Sequence, residues 1–103
     1  MDKKYNIITL CGSAKFKEEF LREKERLTLA GNIVLTPVFF ESSVDFDTDT
    51  IAMLKDMHFR KIDMADEIFV INKDGYIGSS TSLEIEYAKK NHKKVNYMEP
   101  MNK

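Results

Sequence analysis

Residues 67–88 read EIFVINKDGYIGSSTSLEIEYA, an apolar run that passes through a Gly- and Ser-rich turn into an amphipathic segment. The first six residues have the apolar, β-branched character of a buried strand, and residues 80–91 have the spacing of a helix. In parallel α/β sheets, ligands bind where strands end and helices begin. This stretch therefore predicts both a fold class and the place of a site.

The rest of the chain repeats the alternation of strand and helix, in the order βαβαβαβ. This order predicts a three-layer α/β fold of the flavodoxin or Rossmann kind, with a parallel sheet of about four strands and helices on both faces. We expect one domain that spans residues 1–103. The predicted strands are residues 5–11 (YNIITLC), 32–40 (NIVLTPVFF, with its end marked by Pro37), 67–72 and 95–98, and the predicted helices are 14–30 (ended by Gly31), 51–65 and 80–91.

The composition favours a small ligand. The 103 residues include 16 basic and 17 acidic side chains, without a long block of either sign, so we expect no nucleic acid polymer as a partner. The apolar runs are shorter than the roughly 20 residues that span a bilayer, so we expect no membrane partner. Cys11 is the only cysteine, and no signal peptide is recognised, so we expect a cytoplasmic protein without disulfides.

The polar segment 41–50 (ESSVDFDTDT) is predicted to be a loop over one edge of the sheet, and one interpretation is a lid. Its alternating aspartates at 45–49 resemble the start of a calcium loop. However, the sixth position is Thr50 rather than Gly, and the twelfth is Asp56 rather than Glu. A solvated loop with a helix cap is therefore favoured over a metal site.

The helix predicted at 51–65 carries apolar residues on more than one face, including Met53, Phe59 and Met64. Two interpretations remain open. The helix is either well buried, or its second apolar face is used for self-association.

The turns after the first and third strands contain the groups that bind anions: glycines for close backbone approach, hydroxyls, helix-start amides and a cation. For residues 11–15 (CGSAK), the alternative is a simple turn capped by its serine. For residues 74–82 (DGYIGSSTS), an ordinary turn is equally compatible with the sequence. The candidate binding residues in these turns are Gly12, Ser13, Lys15, Gly78, Ser79 and Ser80.

Glu84 has two interpretations. Residues 81–84 (TSLE) match a capping box, in which the glutamate binds a backbone amide at the helix start. A helix phase of about 100° per residue instead places Glu84 near the middle of an inward arc that includes Leu83, whereas Glu86 faces solvent among lysines. A carboxylate held in the first helical turn, beside hydroxyls and amides, is suited to attack an anomeric carbon.

Three blocks of the sequence resemble one family: residues 9–16 (TLCGSAKF), 65–72 (ADEIFVIN) and 78–95 (GSSTSLEIEYAKKNHKKV). They look like the nucleoside 2-deoxyribosyltransferase superfamily, and the first block is most similar to its 2'-deoxynucleoside 5'-phosphate N-hydrolases. The resemblance implies a flavodoxin-like fold and cleavage of an N-glycosidic bond without metal or other cofactor. It also implies homodimers or larger homo-oligomers, with sites near subunit boundaries.

The resemblance also implies roles for individual residues. Glu84 occupies the position of the nucleophile, Gly12 and Ser13 lie against the nucleotide, and the turn at Ser79 and Ser80 holds its 5'-phosphate. His58 stands where the family has an aspartate that orients the sugar. Either His58 has another role or the usual activity is lost.

These observations predict an enzyme that cleaves or exchanges the base of a (deoxy)nucleoside or nucleoside 5'-monophosphate through Glu84, with Lys15 neutralising charge. The alternative is a non-catalytic nucleotide-binding or sensor module that uses the same pocket. The absence of the aspartate at position 58 favours this alternative.

Overall fold

A computed structural model describes residues 4–40 and 45–101 of the chain. In these ranges four strands form a single parallel sheet in the order β2-β1-β3-β4, which confirms the predicted α/β class. No helix in this part of the chain is long and apolar enough to cross a membrane. The elements are β1 (Asn6–Gly12), α1 (Lys17–Leu29), β2 (Asn32–Leu35), α2 (Thr48–Met64), β3 (Glu67–Ile71), α3 (Ser79–Lys90) and β4 (Lys94–Tyr97), with short 3-10 helices at Ala14–Phe16 and Lys73–Gly75.

The sheet has an apolar core on each face, as the predicted three layers require. Because successive strand residues point to opposite faces, Leu10 of β1 packs with Phe20 of α1 on one side. Cys11 packs with Ile62 of α2 and Ile85 of α3 on the other. A hydrogen bond of 2.8 Å from Thr9 Oγ1 to the backbone oxygen of Lys61 also ties α2 to β1.

The order of the strands places a crevice between β1 and β3. The chain leaves β1 towards β2 at one edge, whereas β3 lies on the other side of β1 and continues towards β4. The connections that follow β1 and β3 therefore diverge, and ligands bind at such a switch point in open parallel sheets. The two predicted binding turns both begin here.

Several predicted boundaries differ from the structure. β2 ends at Leu35 instead of continuing to Phe40, because Pro37 cannot donate a backbone hydrogen bond. α2 begins at Thr48, where the carboxylate of Asp47 accepts a 2.7 Å hydrogen bond from the Thr50 amide. The cap that the sequence favoured over a calcium site is therefore present.

The interpretation of α2 as a well-buried helix is wrong for this chain. Ile62 is its one buried residue, and Met53, Met57 and Met64 are 51%, 43% and 63% exposed. Residues 41–44 of the predicted loop and lid lie outside the described ranges, and residues 48–50 belong to the first turn of α2.

Candidate functional site

The crevice starts at Gly12, where β1 passes very close to β3. A Cβ atom at this position would lie 2.9 Å from the backbone oxygen of Ile71 and 3.0 Å from its Cβ. After Gly12, Ser13 caps the short helix at 14–16 by accepting a 3.3 Å hydrogen bond from the Lys15 amide. The turn is therefore the capped strand-to-helix connection that the sequence allowed, and it also lines a cavity.

This polar cavity has a volume of about 300 Å³ and lies between the turn after β1 and the start of α3. Gly78 precedes α3, no side chain caps the helix, and its first turn carries no acidic residue. The first amides of a helix have no partners within it and attract anions. The cavity is lined by Gly12, Ser13, Ala14, Tyr76, Gly78, Ser79, Ser80 and Thr81, which include most of the predicted binding residues.

Lys15 lies near this cavity without lining it. Its Nζ atom is 3.6 Å from the centre of the Tyr76 ring, and Tyr76 is a lining residue that the sequence analysis did not identify. The lysine itself borders a neighbouring cavity of about 440 Å³, together with Lys17, Glu19 and Lys73. Its positive charge is therefore held at the rim by a cation–π contact.

The structure contradicts the capping-box interpretation of Glu84 and agrees with its inward orientation. α3 starts at Ser79, so Glu84 is the sixth helical residue, beyond both the first turn and the capping-box position. The buried face of α3 contains Thr81, Ile85 and Ala88, whereas Leu83, predicted to point inward, is 60% exposed. The Glu84 side chain lies at the edge of the buried face and is only 17% exposed, while Glu86 faces solvent as predicted.

Glu84 contacts side chains from two other elements. Its Oε1 atom is 3.5 Å from Nε2 of His58 on α2, and the same nitrogen is 3.5 Å from Sγ of Cys11 on β1. Burial, and secondarily the negative charge of Glu84 and its hydrogen bond, raise the pKa of the Cys11 thiol. We refer to Cys11, His58 and Glu84 as the C-H-E cluster.

The cluster borders an apolar cavity of about 180 Å³, to which His58 contributes. On its other side, Glu84 and Ser80 share a small cavity of about 70 Å³ with Phe59 of α2. Since Ser80 also lines the polar cavity, the cluster adjoins the apolar cavity through His58 and is linked to the polar one through the small cavity that Glu84 shares with Ser80. The apolar compartment is lined by Pro37, Val38, Phe40, Leu54, Met57, His58 and Lys61.

Neither of the two aspartates near His58 in the sequence replaces the aspartate that the resembled enzymes have at this position. Asp56 is 70% exposed at its side chain and pairs with Arg60. Asp63 accepts hydrogen bonds from Arg60 and from the hydroxyl of Tyr87. Among the described residues, His58 is therefore the α2 side chain that makes a polar contact with Glu84.

A family model described as a domain of unknown function, DUF4406, matches residues 7–97. The chain belongs to the DUF4406 family. The match spans nearly all of the sheet and all three helices, and it includes every residue of the C-H-E cluster and both binding turns. No curated protein matches the chain.

Cys11 and Tyr76 are two of the site residues that sequence reasoning did not assign. The alternation in β1 contains a signal for Cys11, because it places the thiol on the face opposite Leu10. Tyr76 follows a predicted turn and carries no comparable periodic signal. Its position depends on a turn in which Asp74 has a positive φ of 56°.

Proposed function

We propose that this DUF4406 chain cleaves the N-glycosidic bond of a nucleoside or nucleoside 5'-monophosphate, by hydrolysis or base exchange, with Glu84 as the nucleophile. The observation that carries the proposal is the mostly buried Glu84 carboxylate between a polar and an apolar compartment. The sequence blocks that resemble nucleoside 2-deoxyribosyltransferases and nucleotide N-hydrolases provide independent support.

The polar cavity has the chemistry required for the 5'-phosphate. Hydroxyls of Ser13, Ser79 and Ser80 surround it, and the uncapped amides of α3 open towards it. Such amides favour negative charge, and Gly12 and Gly78 let a ligand approach the backbone closely. Lys15 at the rim adds a positive charge.

The apolar cavity suits the base. Its volume of about 180 Å³ and its lining by Phe40, Val38 and Met57 offer the flat, weakly polar surroundings that a nucleobase prefers over water. With the phosphate and the base in separate compartments, the sugar between them lies at Glu84.

In the first step, a Glu84 oxygen forms a bond to the anomeric carbon while the bond from that carbon to the base nitrogen breaks. The base leaves with the electron pair and takes up a proton from solvent. Water, or a second base, then attacks the anomeric carbon, gives up a proton to solvent and releases the Glu84 carboxylate. His58 acts here as a positioning residue, because its imidazole contacts the carboxylate from α2.

The test is release of free base from a panel of deoxynucleosides, ribonucleosides and their 5'-monophosphates, followed by chromatography. We expect Glu84→Gln to lower the release rate at least about a hundredfold, as removal of a catalytic group does. Glu86→Gln is the matched control, because Glu86 lies on the same helix but faces solvent. Equal rates for the wild type and Glu84→Gln would contradict the proposed mechanism.

One observation favours a second candidate, a non-catalytic nucleotide-binding or sensor module. His58 replaces the aspartate of the resembled enzymes, and the nearby Asp56 and Asp63 pair elsewhere. Tight binding of a nucleotide without base release over long incubation would select this candidate. Rapid release would exclude it.

We further propose that the chain forms a homodimer or larger homo-oligomer in the cytoplasm. Met53, Met57 and Met64 are spaced by four and seven residues, so they form one exposed apolar stripe along α2. Met57 also lines the apolar cavity, so a second copy packed on the stripe would enclose the base compartment. This arrangement agrees with sites near subunit boundaries.

A further inference from the structure

The C-H-E cluster contains three of the side chains that bind transition metals: a thiol, an imidazole and a carboxylate. They come from β1, α2 and α3, so no spacing in the sequence reveals the set. One candidate ligand atom from each residue lies within 4.8 Å of the other two. No ion is present in the structure.

The distances from His58 to the other two members of the cluster fit a small tetrahedral ion. Zinc bonds of about 2.0–2.3 Å to nitrogen, oxygen and sulfur place neighbouring ligand atoms roughly 3.3–3.8 Å apart. Nε2 of His58 is 3.5 Å from the Cys11 sulfur and 3.5 Å from the Glu84 oxygen. The Cys11 sulfur and a Glu84 oxygen lie within 4.8 Å of each other, so small side-chain shifts would bring all three ligands around an ion.

The cluster also differs from a chance group of surface side chains. Cys11 is fully buried, and the side chains of His58 and Glu84 are 12% and 17% exposed. The Thr9–Lys61 hydrogen bond holds α2 against β1, which fixes the separation of two of the ligands. The cavities beside His58 and Glu84 provide access for an ion.

We propose that Cys11, His58 and Glu84 bind one Zn²⁺ ion as three protein ligands, with water in the fourth position. The Cys11 thiol gives its proton to solvent as the sulfur–zinc bond forms, and the imidazole binds through Nε2. Sulfur and nitrogen ligands select zinc and similar ions over Mg²⁺ and Ca²⁺, which prefer oxygen. The inference does not rest on the proposed function: while an ion is bound, the Glu84 carboxylate cannot attack a sugar, so the metal-bound and metal-free chains are alternative states of one site.

The test is titration of the reduced, chelator-treated chain with Co²⁺ and then with Zn²⁺. We expect one Co²⁺ per chain with a thiolate-to-cobalt charge-transfer band, which identifies Cys11 because it is the only cysteine. Zn²⁺ should remove the band, and Mg²⁺ should not. Cys11→Ser should abolish it, and His58→Gln should weaken Zn²⁺ binding at least about a hundredfold, more than loss of a typical outer-shell partner does.

The matched control is His92→Gln, which replaces the other histidine of the chain, an exposed residue that follows α3 and is not part of the cluster. Circular dichroism of each variant separates loss of the site from loss of the fold. A missing charge-transfer band in the wild type, or equal Zn²⁺ affinity in the wild type and a folded Cys11→Ser or His58→Gln chain, would overturn the inference. Base release without Zn²⁺ binding would overturn this inference alone, whereas Zn²⁺ binding without base release would leave it supported and count against the proposed enzyme.

Discussion

At Gly12, the absence of a side chain sets the distance between two strands and therefore the shape of the crevice. The Ile71 oxygen, 2.9 Å from the position of a Cβ atom, belongs to the backbone of β3 and cannot rotate away. Phe20 from the core under α1 is also close, at 3.2 Å. A larger residue would push β1 and β3 apart at the place where the polar cavity begins.

We expect Gly12→Ala to lower the free energy of unfolding by about 1–3 kcal/mol, the usual cost of overpacking a core position. Urea unfolding followed by circular dichroism measures the change. Gly78→Ala is the matched control: Gly78 has an ordinary φ of −77°, and the three atoms nearest its Cβ would all belong to the Tyr76 side chain, with the hydroxyl closest at 3.3 Å. Equal losses in the two variants would contradict the close approach at Gly12.

At the scale of an element, α2 is positioned by its two ends and by one buried side chain. Asp47 caps its start, Ile62 packs into the core, and the Thr9–Lys61 hydrogen bond fixes its last turns to β1. His58 lies between these anchors. The direction in which it presents its imidazole to Glu84 therefore depends on the whole helix.

Because Asp47 caps α2, we predict that the stability of the folded chain decreases in acid. Hydrogen bonds from Thr50 lower the pKa of the Asp47 carboxyl below its ordinary value. The unfolded chain therefore binds a proton at a higher pH than the folded chain does, so the stabilisation is present above the unfolded pKa and is lost as the pH falls through the folded pKa.

Thermal unfolding at a series of pH values measures this effect. We expect Asp47→Asn, which keeps a capping side chain but cannot titrate, to flatten the acid limb of the Tm curve, and Asp47→Ala to lower Tm at neutral pH. Asp49→Asn makes the same change of charge at an exposed position in the same turn. An acid limb of equal slope in the wild type and Asp47→Asn would contradict the prediction.

At the scale of the whole molecule, the sheet order brings the two binding turns together. The helices α2 and α3, which pack on the same face of the sheet, place His58 and Glu84 beside Cys11. β1 contributes Gly12 to the polar cavity and Cys11 to the C-H-E cluster, on opposite sides of one peptide bond. The same architecture leaves the Met53, Met57 and Met64 stripe of α2 uncovered in a single chain.

We expect light scattering to give at least twice the mass of one chain, because a second copy would remove the methionine stripe from water. Met53→Lys should shift the chain towards the monomer by introducing a charge into the stripe. Leu29→Lys, at an 83% exposed position at the end of α1, should leave the mass unchanged. A wild-type monomer at micromolar concentration would contradict the predicted assembly.

Much of the fold was predictable because its signals are local. The apolar runs at β1 and β3 identify buried strands, Gly31 follows the end of α1, and the phase of α3 separates Glu84 from the exposed Glu86. Hydrophobic periodicity and helix end signals depend on neighbours in the chain, so they can be recognised without tertiary structure.

The sequence by itself thus determined the order of strands and helices, the parallel sheet, and the turns in which Gly12, Ser13, Ser79 and Ser80 lie. Tertiary structure alone decided that α3 begins at Ser79, that one face of α2 stays exposed, and that Cys11 and His58 meet Glu84. The residues of the C-H-E cluster are far apart in the sequence: His58 is 47 positions after Cys11, and Glu84 is 26 positions after His58. Their geometry depends on how the helices pack against the sheet, and local periodicity contains no information about that packing.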